Sequence, residues 1–209
     1  MSPDPQPDDP IARAFLSGST YERVRYERHS YLLQSVPRTL ALQSALLGAL
    51  ALALPMYGLY PESAAAFLPA ADPATASPKA LLLGLFGAAL QLLGATLLVA
   101  SVLYRLRHAP LTERQAHAAL NAEDFARYVG LGTGGLAIAL SLGLFAVGLG
   151  GGDAVSSYIA SMGRNPFVDS GLGVSVATVS LFAFAASVTV FFASRYLLVH
   201  LALCHRDSE

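Results

Sequence analysis

The sequence holds one cysteine, Cys204, so no intrachain disulfide can form, and that residue reads as an ordinary small apolar side chain near the C-terminus. Tryptophan is absent, and lysine occurs once, at Lys79. Charge of either sign is scarce: Asp, Glu, Lys and Arg make up 13% of the 209 residues, where a soluble domain carries roughly 25%. A net charge of −1 gives no general attraction to nucleic acid, which is excluded as a partner. The His-Glu-x-x-His zinc pattern, the Gly-x-x-x-x-Gly-Lys phosphate loop and the Gly-x-Ser-x-Gly elbow are also missing. No catalytic residue, metal ligand or cofactor is assigned from the sequence.

What is present is apolar: 54% of the chain. A short soluble domain buries too small a fraction of its surface to hide this much, so lipid is the expected solvent. A helix needs about 20 residues to cross a hydrocarbon core about 30 Å thick. Four segments qualify, at about 40–60, 80–104, 129–150 and 172–193, the last with a helical extension to about 204. None has an ionised side chain in its central part, as spanning helices require. The expected fold class is an all-α integral membrane protein: four transmembrane helices in two helical hairpins, plus an N-terminal cytoplasmic amphipathic helix.

The expected organisation is a disordered tail over 1–18, an interfacial helix over 19–38, a bundle over 39–204 and a short tail over 205–209. The tail begins with Pro- and Asp-rich sequence rather than a basic, then apolar, leader, so the first span is expected to serve as its own insertion signal. Ser19 and Glu22 have capping-box spacing, and Pro37 ends the helix they open. Thr112 with Gln115 forms a second capping box, and Asn121 with Asp124 is read as a new helix start after a break. The segments 61–78 and 151–171 are read as outer loops.

Basic residues set the orientation. Eleven arginines lie on the side of the termini and of the central loop, among them Arg38, Arg105, Arg107, Arg114, Arg127 and Arg195; Lys79 and Arg164 lie on the other. The basic side is expected to be cytoplasmic, with both termini inside and the chain in the cell membrane. Tyr104 and His108 close span two, Tyr196 and His200 close span four, and the offset of 92 residues also carries span one onto span three. That pattern suggests a duplicated hairpin.

Small residues mark candidate packing faces. Ala41, Ala45, Ala49 and Ala53 recur every four residues in span one, and Gly135, Ala139 and Gly143 do so in span three. In lipid such stripes let helix backbones approach closely. Gly130 to Gly135 resembles a phosphate loop only in composition and reads as helix packing inside a span. Among polar residues within the spans, hydroxyls can bond their own helix backbone, and Gln43 lies near the inner end. Gln91 is the one candidate intramembrane polar residue, because its amide needs partners at mid-span.

Three functions are open to such a chain. The first is a non-catalytic accessory or scaffolding subunit that assembles with other membrane subunits, or with itself, through the small-residue faces. The second is a transport or channel component lined by Gln91 and the hydroxyls of span four. The third is a membrane enzyme at the outer interface, using Asp153, Arg164, Asn165 and Asp169 as acid, base and anion-binding groups.

Overall fold

The computed structural model describes Thr20, Tyr21, Val24 and residues 35–206, with side chains through 201. Among the described residues the regular elements are all helical. Four stretches are long and apolar enough to cross a membrane: Val36–Gly58, Ala80–Arg107, Glu113–Leu149 and Val176–Leu201. The protein is a multi-pass membrane protein, and the outward faces of its four-helix bundle contact the bilayer. The tail expected over 1–18 and most of the helix expected over 19–38, including its capping box, lie outside the described residues. Thr20, Tyr21 and Val24 are helical.

The first span is α1 (Val36–Ala51) continued by α2 (Ala53–Gly58). Pro37 sits in the first turn of α1, where its missing N–H costs nothing. Pro55 has no N–H to offer the carbonyl four residues back, and the helix is interrupted at Leu52. The second span is α3 (Ala80–Arg107), whose 28 residues extend about 42 Å at ~1.5 Å per residue. Arg105 and Arg107 lie in its last turn, where the helix dipole favours cations. The third span starts with α4 (Glu113–Arg127), opened by the Thr112–Gln115 capping box in both its halves. A π-turn over Tyr128–Gly134 joins it to α5 (Gly135–Leu149). A further helix, α6 (Gly151–Met162), precedes the fourth span, α7 (Val176–Arg206).

Two helix pairs make the bundle. In the first, α1 lies on α7, and Ser44 and Ser187 exchange hydrogen bonds across the contact. Ser44 Oγ donates to the Ser187 carbonyl at 3.0 Å, and Ser187 Oγ donates to the Ser44 carbonyl at 2.8 Å. Ser194 donates to the Pro37 carbonyl at 2.7 Å, in the same antiparallel register. Hydroxyls thus bridge helices here, whereas Thr96 and Thr189 bond their own helix as the sequence suggested. Interhelical bonds of this kind are worth about 0.6–1.7 kcal/mol each. Replacing Ser44 and Ser187 together by alanine is expected to cost about 1–3 kcal/mol on that basis, measured by equilibrium unfolding in mixed micelles. In the second pair, α3 runs antiparallel to the continuous α4–π–α5 rod. Leu40, Leu47, Leu50, Leu98, Ile138 and Phe145 fill the space between the pairs.

At the end opposite the arginine-rich one, the two loops cap each other's helices. The first amides of α3, from Lys79 and Ala80, donate to the carbonyls of Val168 and Pro166 at 2.9 and 2.8 Å. The first amides of α7, from Val176 and Ala177, donate to Ala76 and Pro73 at 2.9 and 3.1 Å. Free helix-start amides are thereby satisfied without water. Tyr60 donates to the Phe145 carbonyl at 2.9 Å, and burial, with Tyr57 as a smaller contribution, holds its hydroxyl protonated far above the ordinary tyrosine range.

Two local expectations are corrected. No break occurs at Asn121, which lies mid-helix in α4. The alanine-rich flanks favour an unbroken helix, and Ala116, Ala119 and Leu120 pack it against Tyr21 and Val24. The segment 151–171 is not all loop, because α6 occupies its first half. Gly151 takes a positive φ of 77° at the turn into α6, and Gly163 takes 71° at the turn out of it. Asp153 stands in the first helical turn, where a carboxylate favours the helix N-terminus.

Candidate functional site

One face of α3 turns toward the α4–π–α5 rod: Gly84, Gly87, Gln91, Gly94, Ser101 and Arg105, spaced three, four or seven apart. The glycines let the two backbones touch. A Cβ on Gly87 would come within 2.7 Å of the Gly134 carbonyl oxygen, and one on Gly94 within 2.8 Å of the Ala126 carbonyl oxygen. The polar members of this face form a seam running from the arginine-rich end into the middle of the bundle.

The seam begins in an ion cluster at the arginine-rich end. Glu123 is 1% exposed and accepts from four side chains. Arg105 and Ser101 donate to its Oε1 at 3.2 and 3.0 Å, and Arg127 and the Tyr21 hydroxyl donate to its Oε2 at 3.3 and 2.9 Å. Arg127 also pairs with Asp124 at 3.0 Å. The Arg105 guanidinium lies 3.5 Å from the centre of the Tyr21 ring, a cation–π contact. One carboxylate thus ties α3, α4 and Tyr21 together.

About three turns further in, by the rise of α3, stand Gln43 and Gln91, both fully buried. Neither carboxamide has a hydrogen-bond partner among the described residues. Each buried polar group left unmade costs about 1–3 kcal/mol. Both carboxamides flank Gly130 in the π-turn, and a Cβ there would collide with Gln43 Nε2 and lie 3.5 Å from Gln91 Oε1. Gln43, near the inner end of the first span, is thus buried beside the same glycine as Gln91. Nearer the opposite end, the Ser141 hydroxyl donates to the Ala80 carbonyl at 2.8 Å.

The other residues singled out from the sequence fall in several places. In span one, Ala53 is buried, Ala41 and Ala49 are half-buried and Ala45 is exposed. Gly135 is buried against Leu46, whereas Ala139 and Gly143 face outward on α5. Asp153 and Arg164 are exposed at the capped end. Asn165 donates to the Phe67 carbonyl at 3.0 Å and accepts from the Phe167 amide at 2.9 Å; Asp169 accepts from the Gly171 amide at 3.0 Å. These last two side chains are thus engaged with backbone. Both Tyr-x-x-x-His pairs stack, with ring centres 4.3 Å apart for Tyr104 and His108 and 5.8 Å apart for Tyr196 and His200. Among the described residues no three His, Cys, Asp or Glu side chains gather as a metal site.

The fold and the seam define the chain as an all-helical, four-span membrane bundle with a polar interior at one level. No family model, curated protein or solved structure matches it.

Proposed function

We propose that this protein is a non-catalytic accessory or scaffolding subunit of the cell membrane that binds other membrane helices through the outward face of α5. The observation that carries this reading is the open strip on that face. A Cβ added at Gly143 would meet nothing within 4 Å, and Ala139 lies outward one turn before it. Leu136 and Leu140 flank the strip and are 61% and 53% exposed. A shallow track of small residues between leucines admits a second helix to close backbone distance, where dispersion rather than hydrophobicity drives association. The orientation that goes with this reading has both termini in the cytoplasm. It is supported by Arg38, Arg105, Arg107, Arg114 and Arg195 at one end of the described bundle, against Lys79 and Arg164 at the other.

Replacing Ala139 and Gly143 together by leucine is expected to abolish assembly without lowering the unfolding midpoint of the monomer, because both positions face outward from the core. Native mass spectrometry of the protein gently extracted from its own membrane measures the first, and thermal unfolding in detergent the second. Persistence of the same complexes in the double variant sinks the reading.

A second reading, a transport or channel component, is favoured by the buried carboxamides of Gln43 and Gln91. Polar side chains facing the interior of a membrane bundle often mark solute paths. Flux of small neutral solutes into liposomes that is lowered by Gln91→Leu would support it.

A further inference from the structure

We propose that Arg38 and Arg195 together hold the phosphate of an anionic phospholipid whose headgroup carries no amine, at the arginine-rich end of the groove between α1 and α7. The two helices run antiparallel in a register fixed by serine contacts. Ser44 faces Ser187, and Ser194 faces Pro37. Arg38 and Arg195 each follow one member of the Pro37–Ser194 pair. One residue turns a helix by about 100°. In antiparallel neighbours that single step carries both side chains to the same side of the pair. Burial shows which side it is. Leu40, Leu47, Val190 and Leu197 lie on the other side, in the core, whereas Arg38 and Arg195 are exposed. The two arginines thus flank one outward groove, on helices whose axes lie about 8–10 Å apart when packed.

Depth and charge name the occupant. From Val176 to Arg195 the fourth span rises about 28 Å, close to the ~30 Å of a hydrocarbon core. The pair therefore stands at the level of lipid phosphates. Neither α1 nor α7 carries an acidic residue along its whole length. The two cations repel each other, and no carboxylate on either helix offsets them. A phosphate between them replaces that repulsion with charge-assisted hydrogen bonds, which the guanidinium fork makes in pairs. A headgroup amine would bring a third cation to the same place. Deeper along the groove the exposed side chains are apolar, from Ala45, Phe184, Val188 and Phe191, and form a wall for an acyl chain. The Arg195 guanidinium lies 5.0 Å from the centre of the Phe191 ring, a cation–π contact that holds it at the groove. The assignment is independent of assembly through α5, which belongs to the other helix pair.

The test uses the absence of tryptophan from the chain. Phe191→Trp places a single fluorescent reporter in the groove, and Leu136→Trp places one on the lipid-facing side of α5, where the leucine is 61% exposed. Each full-length variant is reconstituted in phosphatidylcholine bilayers. Quenching is read as lipid with dibrominated acyl chains replaces the host, phosphatidylglycerol in one series and phosphatidylcholine in the other. Only a lipid chain in contact quenches, so free phosphate gives no signal. An arginine at a membrane surface favours anionic lipid about fivefold. The preference for phosphatidylglycerol is expected to reach about tenfold or more at position 191 and to stay near one at position 136. Adding Arg38→Gln/Arg195→Gln is expected to bring the value at 191 down to that at 136. Both arginines are exposed, so the bundle folds without them. A preference at 191 no higher than at 136 overturns the proposal with both arginines in place. A preference at 191 that survives the loss of both arginines overturns it as well.

Discussion

Glu123→Ala is expected to lower the stability of the folded bundle by about 3–5 kcal/mol, the range found when one partner of a buried ion pair is removed. The carboxylate is 1% exposed and stands between Arg105 and Arg127, with Ser101 and Tyr21 donating to the same two oxygens. Its removal leaves the 4% exposed Arg127 with Asp124 as its remaining carboxylate. Arg105 is more open, at 23% side-chain exposure, and suffers less. Glu123→Gln keeps the shape and one acceptor oxygen, while the other becomes an NH2 donor, so its loss should be smaller than that of Glu123→Ala. A Glu123→Leu/Arg127→Leu double variant should recover much of the stability, because apolar pairs often replace buried ion pairs without loss. Unfolding equilibria in mixed micelles measure all three. A loss below about 1 kcal/mol for Glu123→Ala, the value typical of exposed pairs, would mean that the cluster stays hydrated.

The second large effect is expected from a single methyl group. Gly87→Ala would place a Cβ 2.7 Å from the Gly134 carbonyl oxygen, 2.7 Å from Ile138 Cγ1 and 3.0 Å from the Ile138 amide nitrogen. Two of these atoms belong to backbone, so no rotamer change relieves the clash, and α3 must separate from α5. Overpacking of this kind costs about 1–3 kcal/mol. Gly143→Ala is the matching control, because nothing lies within 4 Å of its Cβ position. There the helix preference for alanine over glycine, about 0.5–1 kcal/mol, should leave the monomer unchanged or slightly more stable. Equal losses at both positions would show that the glycines of α3 and α5 act through backbone flexibility and not through close approach.

Several elements were legible from residue types alone. The Thr112–Gln115 box opens α4 because both of its bonds are local, and the two Tyr-x-x-x-His pairs stack because residues four apart share a helix face. Helix α6 was legible in principle, with Asp153 in its first turn and Gly163 just past its end, but three consecutive glycines at 150–152 read more simply as loop. The π-turn left only an ambiguous trace in Gly130, Gly132, Gly134 and Gly135. Glycine at such positions serves close packing and irregular helix alike, and the contact with α3 selects between them. Asn121 was misread because a residue suited to capping is tolerated mid-helix when its neighbours are packed.

Four spans with polar ends followed from the sequence by itself, since crossing hydrocarbon demands about 20 apolar residues with every backbone hydrogen bond made inside the helix. That condition is local, and composition meets it or fails it segment by segment. Which faces meet was decided only in three dimensions. Ser44 lies 143 residues from Ser187, and Glu123 lies 102 from Tyr21. In spans that are mostly apolar, hydrophobicity alone does not say which partner each inward face meets. That Gln43 and Gln91 lie beside the same glycine, Gly130, rests on the register of three helices, and register is fixed by glycine contacts and interhelical hydrogen bonds that exist only once the bundle has formed.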